Sequence, residues 1–248
     1  MENGRDAVVG RNAVRELLRS GERIDKIYIA EGKRDSVLSE IIKEARKASV
    51  PVVTVPVSRL NALSGKVPHQ SVAALVSAVE YTTVDDMLTL ARERGEEPFL
   101  VIADGIEDPR NLGALIRSAE CAGAHGLIIP KHKSVSLNST VAKTSAGAVA
   151  HLGVARVTNL SNEIRALKEK GLWIYICEAG GDIVYEKDVT GPAAFVFGSE
   201  GKGVSEHVKK AGDFIVSLPL CGKINSLNVS CAAAAVLSFV AYKRSKSN

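Results

Sequence analysis

Three stretches of the chain carry polar side chains directly after an apolar, strand-like run, which is where ligands bind in proteins built on a parallel sheet. They read DGIEDPRNLGALIR at 104–117, AFVFGSEGKGV at 194–204 and FIVSLPLCGKINSLNVS at 214–230. None of the three contains a histidine. Any proton transfer at a site built from them therefore depends on other groups.

In the first stretch, the side chains that could do chemistry are Asn111 and Arg117. On a helix that starts near Asn111, the two lie roughly a third of a turn apart around the axis, so that one site can hold both. Two simpler explanations remain open. Asn is a good helix cap, and Arg117 also suits an ordinary solvated helix face.

The second stretch is a glycine-rich loop, with Gly198, Gly201 and Gly203 around Glu200. Glycine lets a loop turn tightly and lets a ligand approach the backbone. The spacing is neither the dinucleotide pattern GxGxxG nor that of a P-loop. Alone, it fits a ligand cradle and a plain turn equally well. The position of Glu200 between two turn residues at a strand end favours a functional role.

The third stretch leads into the small-residue helix predicted over 227–243. Ser226 is the expected N-cap of this helix, and that is a sufficient structural reason for a serine there. Asn228 then falls in the first turn, where Asn is a mediocre helix former, so capping does not explain it. Polar groups at a helix N-terminus are well placed to bind a ligand.

The elements that must position these residues alternate along the C-terminal part of the chain. Short runs that are apolar throughout predict strands at 99–103, 126–129, 154–157, 173–177, 193–197 and 214–218. Helical patterns lie between most of them, at 112–122, 162–170 and 206–211. Buried strands that alternate with helices indicate an α/β fold with a mostly parallel sheet covered on both faces.

The N-terminal segment has a different rhythm. Helical spacing at 12–19 and 37–48, with strand-like runs at 26–30, 50–57 and 72–79, predicts a compact α/β/α unit. The amphipathic stretch 81–98 is the best candidate for a linker. We therefore expect a small domain over 1–80, a linker over 81–98 and a second domain over 99–248.

Composition narrows the class of protein. Of the 248 residues, 46% are hydrophobic and 24% charged, as in soluble globular proteins, and only 4% are aromatic, which disfavours a base-stacking surface. No long apolar run or apolar N-terminus is present, so we expect a cytoplasmic protein without a membrane span.

The four cysteines lack zinc-ligand spacing, which predicts buried, reduced thiols and no metal. We assign no role to His125, His132 and His207, which we place in surface or turn surroundings.

The combination of the three stretches is more specific than any one of them. NLGALIRSAE, FGSEGKG, and SLPL followed by SLNVS occur in the order of the three motifs of the SpoU (TrmH) family, which this chain resembles. The resemblance extends to VGRNAV at 9–14 and to His69 and Gln70, which are similar to the family's small RNA-binding domain, itself like ribosomal protein L30e. Ser71 stands where that domain usually has glycine.

The resemblance implies an enzyme that transfers a methyl group from S-adenosylmethionine to a ribose 2'-hydroxyl of RNA. It also implies a SPOUT-type α/β domain with a deep trefoil knot, which forms a homodimer. The backbone near Gly198, Leu218 and Leu227 would hold the adenosyl group. The residues expected around the reacting ribose are Asn111, Arg117, Glu200, Ser226 and Asn228. Because a guanidinium is ordinarily never deprotonated in proteins, we expect Arg117 to bind an RNA phosphate and stabilise a developing alkoxide.

The same resemblance makes the N-terminal domain the RNA-binding part. Residues 1–80 carry 13 Lys and Arg against 10 Asp and Glu, which is +3 of the chain's +4. Arg11, Arg15 and Arg19 repeat every four residues, so like charges stack on one helix face, which is unfavourable unless anions lie nearby. A stripe that contacts RNA phosphates explains the spacing. A solvated face interrupted by Glu16 and Glu22 explains it equally well.

The substrate expected from the resemblance is a guanosine of 23S rRNA. A guanosine of tRNA is the alternative, although such enzymes usually lack the N-terminal domain. A non-catalytic RNA-binding knot protein is a further alternative, and the intact Asn111, Arg117, Glu200 and Asn228 argue against it. A nicotinamide-dependent oxidoreductase is excluded, because no GxGxxG follows an early strand with an acidic residue about 20 positions later.

Overall fold

The computed structural model describes residues 7–20, 24–32, 35–65, 67–76 and 79–246. They form two compact units. One extends to Glu80 and includes Ser136–Thr140, and the other consists of Tyr81–Val135 and the residues from Val141 onward. Each unit has its own sheet and its own apolar core.

The first unit is a four-stranded mixed sheet between helices. Its elements are β1 (Ala7–Val9), α1 (Arg11–Ser20), β2 (Ile24–Ala30), α2 (Ser36–Lys47), β3 (Val52–Val55), α3 (Val57–Ser64) and β4 (Val72–Val76). The strand order is β1-β4-β2-β3, in which β2 and β3 are parallel and the other pairs antiparallel.

Alternation along β2 explains the layers of this unit. Ile27 and Ile29 point to the face that α1 and α2 cover, whereas Tyr28 and Ala30 belong to the core beneath α3. The predicted α/β/α arrangement is therefore present. The strand β1 and the helix α3 were not predicted, and the strand predicted over 50–57 ends at Val55, because a helix begins at Val57 directly after Pro56.

Gln70 and Ser71 both have a left-handed backbone conformation, with φ of 47° and 67°. Glycine adopts this region at little cost, whereas other residues do not. The conformation explains why a glycine suits position 71, and Ser71 adopts it despite its side chain. The turn is held by the Ser71 N–H, which donates to His69 Nδ1 at 3.0 Å.

The second unit is a six-stranded sheet in which every pair is parallel. Its elements are α4 (Val84–Arg94), β5 (Phe99–Asp104), α5 (Pro109–Cys121), β6 (Gly126–Pro130), α6 (Ser139–Thr144, from Val141 onward), β7 (Val154–Val157), α7 (Leu160–Glu169), β8 (Trp173–Ile183), β9 (Ala193–Gly198), α8 (Glu206–Lys209), β10 (Phe214–Ser217) and α9 (Val229–Ser245). The strand order is β10-β8-β9-β5-β6-β7. The predicted fold class, α/β with a mostly parallel sheet and a small N-terminal domain, is confirmed. The knot stays a prediction.

Helices cover both faces of this sheet. On one face, α4, α7 and α8 share a core with Leu100, Ile102 and Ile174. On the other, α5 and α9 pack against each other and against β6 and β9. At its far end α9 is anchored by Arg244, whose guanidinium donates to the carbonyl oxygens of Glu97 at 2.8 Å and Gly191.

The predicted linker needs correction. Val84, Met87 and Leu88 of α4 are buried in the core of the second unit, and Thr82 pairs with Ala155 beside β7. The stretch from Tyr81 onward is thus part of the second unit rather than a connection between two domains. An amphipathic helix at a domain boundary has the same sequence pattern whether it spans a gap or covers a sheet.

Two other expectations change. Cys121, Cys221 and Cys231 are exposed free thiols, so burial was wrong for three of the four cysteines. His125 is buried rather than superficial: its Nδ1 accepts from the Phe99 N–H at 3.1 Å, and its Nε2 lies 3.0 Å from Glu96 Oε2. Among the described residues, no helix combines the length and apolarity needed to cross a membrane.

Candidate active site

A cleft of about 850 Å³ opens beside the middle of β8 and the carboxyl ends of β9 and β10. This volume lies within the range of small-molecule sites, roughly 300–1,000 Å³. The cleft brings together six of the predicted site residues, namely Gly198, Glu200, Leu218, Ser226, Leu227 and Asn228. The second and third stretches of the sequence therefore build one site, although different strands carry them.

The loop after β9 is a closed turn. Ser199 and Gly203 exchange backbone hydrogen bonds of 3.1 and 2.9 Å, and Gly201 and Gly203 have positive φ. A Cβ at Gly198 would lie 2.1 Å from the Gly203 carbonyl carbon, so no side chain fits there. The turn holds Glu200 at its tip. The glycines allow the loop to fold and also shape the cleft. The loop is therefore both a tight turn and part of the cleft wall, which are the two alternatives that the sequence left open.

Glu200 is held by two asparagine amides. Asn111 Nδ2 donates to Glu200 Oε1 at 3.1 Å, and Asn228 Nδ2 donates to the same oxygen. Asn228 Nδ2 also donates to Asn111 Oδ1 at 3.1 Å. One residue from each of the three sequence stretches thus meets in a single hydrogen-bonded group, which we call the amide–carboxylate network.

The cap of α9 differs from the prediction. Asn228, not Ser226, is the N-cap: its Oδ1 accepts from the Ser230 N–H at 2.9 Å. Ser226 is exposed in the loop before the helix and lines the cleft. Because a backbone N–H can only donate, Asn228 Oδ1 must face Ser230, and its Nδ2 must face Glu200. The cap therefore fixes the orientation of the network.

Asn111 is not a cap either. Asp108 caps α5 through a bond from the Arg110 N–H of 2.7 Å, and Pro109 occupies the first turn. Asn111 lies in that turn, with its side chain free to turn towards Glu200. Sequence reasoning missed this cap because Asp108 and Asn111 are both good capping residues.

Arg117 is not brought into the network. It is exposed on α5, it does not line the cleft, and within the described part of the chain it makes no hydrogen bond or ion pair. Because Arg117 lies a third of a turn from Asn111 around α5, its side chain points away from the network. Its guanidinium is available to a phosphate or to another chain.

Several cleft residues were absent from the prediction. Cys177, Glu178 and Gly180 come from β8, and Ser199 and Lys202 come from the loop after β9. Burial raises the pKa of the Cys177 thiol, which leaves it an uncharged wall of the cleft. Position at a strand end was the available indication for β8, because ligands in parallel sheets lie beyond those ends. Residues 178–181, which follow the strand predicted over 173–177, contain no recognisable sequence motif.

The residues present fit an adenosyl group. Gly198 lets the loop close against β9 and lines the cleft, and the half-exposed Leu220 and Leu227 and the largely exposed Ile224 supply apolar surface along it. An adenine ring needs apolar contact and backbone donors, which such a cleft offers. Across the described residues, no group of three His, Cys, Asp or Glu side chains is arranged to bind a metal ion.

The three arginines predicted to bind RNA lie on α1 of the first unit, and each has a carboxylate partner. Arg11 pairs with Asp35 at 2.6 Å, Arg15 with Glu40 at 3.2 Å and Arg19 with Glu16 at 3.3 Å. Arg11 also donates through Nε to the Gln70 carbonyl at 3.1 Å. The anions that offset the stacked charges are thus protein carboxylates, so the repeat alone is not evidence of an RNA-binding surface.

Comparison with known proteins decides the family. A model of the SpoU rRNA methylase family matches residues 98–238, more than half of the chain. The chain belongs to the SpoU (TrmH) family. A second model, for the substrate-binding domain of RNA 2'-O-ribose methyltransferases, matches residues 7–82. YacO of Bacillus subtilis, named as a TrmH family tRNA/rRNA methyltransferase, is 41% identical, with 98% of each chain covered.

Solved structures agree on the fold. The SpoU methyltransferase AviRb from Streptomyces viridochromogenes, with bound S-adenosylmethionine, superposes with a TM-score of 0.60 and 22% identity over 97% of this chain and 90% of its own. The TrmH/SpoU tRNA modifying enzyme of A. aeolicus gives 0.55 and 24% identity, and it covers 66% of this chain and 85% of its own. The SpoU member described here is an S-adenosylmethionine-dependent RNA 2'-O-ribose methyltransferase.

Proposed function

We propose that this SpoU enzyme methylates the ribose 2'-hydroxyl of a guanosine in 23S rRNA, as the family member RlmB does. The observation that carries the choice of substrate is the N-terminal unit. It matches a substrate-binding domain, whereas the solved tRNA-modifying relative covers only 66% of this chain. An enzyme with an added RNA-binding unit suits a large RNA whose target nucleotide needs a second contact.

The cleft provides for the methyl donor. Backbone near Gly198, Leu218 and Leu227 would hold the adenosyl group, and all three residues line the cleft. When bound, S-adenosylmethionine supplies an electrophilic methyl group. The task left to the protein is to align the acceptor oxygen and to manage its proton.

The amide–carboxylate network receives the ribose. Both asparagine amides bind Glu200 Oε1, so the carboxylate is held in place while its second oxygen stays available to accept a hydrogen bond from the 2'-hydroxyl. A carboxylate is a weak base for a ribose hydroxyl, so Glu200 orients the hydroxyl and takes up its proton only as the bond from the oxygen to the methyl carbon forms, which makes the oxygen far more acidic. The exposed carboxylate then passes the proton to solvent. Ser226 lies in the same cleft and completes the polar surface.

Arg117 binds the RNA phosphate next to this ribose, and a second copy of the chain supplies it. Its exposed position, outside the cleft and without a partner among the described residues, supports a site completed across a homodimer. A C2 interface places the same surface on both copies, so each site would gain one Arg117.

Mixing two inactive variants tests this arrangement. Arg117→Ala and Asn228→Ala, combined after brief dissociation and reassociation, give heterodimers with one intact composite site, or about a quarter of wild-type activity in a random mixture. If both residues serve the same subunit, the mixture stays inactive. Dimer exchange, checked with a size-tagged copy, is the control.

The substrate is tested with purified enzyme and tritiated S-adenosylmethionine on unmodified 23S rRNA and unmodified tRNA. We expect methyl transfer to the rRNA alone and recovery of 2'-O-methylguanosine after nuclease digestion. Labelling of tRNA alone would overturn the choice of substrate, and a methylated base instead of a ribose would overturn the reaction.

A further inference from the structure

Glu178 belongs to none of the three sequence stretches, yet the structure places it in the cleft. It lies in a bulge of β8. The ladder to β10 runs from Ile176 opposite Ile215 directly to Asp182 opposite Val216, which leaves 177–181 outside it. Bulges occur beside active sites, where they redirect a side chain. Gly181 permits this one, because a Cβ there would lie 2.4 Å from the Ile215 carbonyl oxygen.

The Glu178 carboxylate is only half satisfied. Its Oε1 accepts from Lys209 Nζ at 2.6 Å, whereas its Oε2 is buried and has no hydrogen-bond partner in the described part of the chain. Lys209 also binds Glu206, at 3.2 Å. An ion pair with Lys209 explains one oxygen. The other oxygen, on a residue that lines a ligand cleft, calls for a donor that arrives with the ligand.

The chemistry of the donor can be narrowed. An adenosyl ligand with an amino-acid tail carries ribose hydroxyls, an adenine amino group and an ammonium group. The ammonium would share the carboxylate with a second cation, Lys209, whereas a neutral hydroxyl adds no charge beside it. In doubly wound sheets that bind dinucleotides, an acidic side chain that follows a strand near the glycine-rich loop accepts hydrogen bonds from ribose hydroxyls, which shows that the pairing is chemically favourable. Glu178 directly follows Cys177, the last residue of β8 that pairs with β9, and its Oε1 lies 3.2 Å from where a Gly203 Cβ would lie.

We propose that Glu178 is a cofactor-binding residue that accepts a hydrogen bond from a ribose hydroxyl of the adenosyl group, and that Lys209 positions its carboxylate. The inference rests on the proposed function of the cleft. The carboxylate turns easily about its last bond, because the terminal torsion of Glu is broad, so that either oxygen can face the ligand.

Isothermal titration of the full chain with S-adenosylhomocysteine and with its 2'-deoxy and 3'-deoxy adenosyl analogues tests the proposal. For wild type, we expect one deoxy analogue to bind about 10- to 100-fold more weakly than S-adenosylhomocysteine, because it lacks a hydrogen bond to a charged group. Glu178→Ala should lose a similar factor for the parent ligand and show no further loss with the deoxy analogue. Glu206→Ala is the matched control, since Glu206 shares Lys209 but lies outside the cleft lining, and it should behave as wild type.

The proposal is overturned if Glu178→Ala binds S-adenosylhomocysteine as tightly as wild type does. It is also overturned if the deoxy analogue loses as much affinity for Glu178→Ala as it does for wild type. If thermal unfolding shows that Glu178→Ala does not fold, Glu178→Gln carries the test. It should bind several-fold more weakly with a smaller deoxy penalty, and an unchanged penalty overturns the idea. Failure of the wild type to bind S-adenosylhomocysteine would instead refute the proposed function of the cleft.

Discussion

Asn228 donates a side-chain hydrogen to Asn111 at 3.1 Å, although the two residues are 117 positions apart in the sequence. The same side chain caps α9 through its Oδ1. The Asn228 amide therefore has two roles. Its oxygen caps α9, which leaves its nitrogen to hydrogen-bond to Asn111 and Glu200. The geometry of the network depends on the first turn of α9.

Substitutions of Asn228 can separate these two jobs. Asn228→Ala should lower the free energy of unfolding by about 0.5–2 kcal/mol, because it removes the cap. Asn228→Ser retains a capping oxygen and should stay within about 0.5 kcal/mol of wild type, since Ser and Asn cap comparably. Both should lose most methyl transfer, measured with tritiated S-adenosylmethionine, because neither can hold Glu200. An active Asn228→Ser enzyme would show that the amide is only a cap.

Arg117→Ala should reduce kcat/KM by about a hundredfold or more, as removal of a charge-stabilising group does at other active sites. The affinity for S-adenosylhomocysteine should not change, because Arg117 lies outside the cleft. Arg110→Ala, another exposed arginine of α5, is the matched control and should retain activity. Near-wild-type methylation by Arg117→Ala would remove Arg117 from the mechanism.

Gly198→Ala should abolish cofactor binding and cost about 1–3 kcal/mol of stability, as overpacking does. The added carbon would lie 2.1 Å from the Gly203 backbone, which must shift and carry Glu200 with it. Gly191→Ala is the control, because a Cβ there meets nothing within 4 Å. Titration calorimetry and urea unfolding measure the two effects. Equal behaviour of the two variants would contradict the close approach seen at Gly198.

His125 should make the stability of the fold depend on pH. Burial lowers the pKa of its imidazole, so the unfolded chain takes up a proton at a higher pH than the folded one. Stability from this residue is complete above about pH 6.5 and falls as the pH decreases through the window below it, by at most about 1.4 kcal/mol per pH unit. His125→Asn should lack this slope in urea unfolding, whereas the exposed His207→Asn should keep it. Identical slopes in all three chains would refute the assignment.

The sequence was a good guide to the elements and to which residues share a site, because apolar periodicity and strand-end position are local features. Gly198, Leu218 and Leu227, for example, line one cleft. Local reasoning failed where two residues compete for one role. Ser226 and Asn228 are both good caps, and the choice between them depends on how the loop before α9 returns to Glu200.

Burial from distant contacts was also beyond the sequence. His125 is enclosed because Phe99 and Glu96 approach it from elsewhere in the chain. Glu178 enters the cleft through a bulge whose register depends on β10. The arginines of α1 likewise find Asp35 and Glu40 on or beside α2, which spacing along α1 does not reveal.

Helix α9 is attached at both ends: Asn228 caps it at the cleft, and Arg244 binds backbone carbonyls just before the amino ends of β5 and β9. Its 17 residues span about 25 Å. The helix is thus a spacer of fixed length. Insertion of a single residue would turn one end by about 100° relative to the other, so that either the cap or the anchor must be given up. Insertions or deletions of a size that the loops of this enzyme tolerate should therefore abolish activity when they fall within α9.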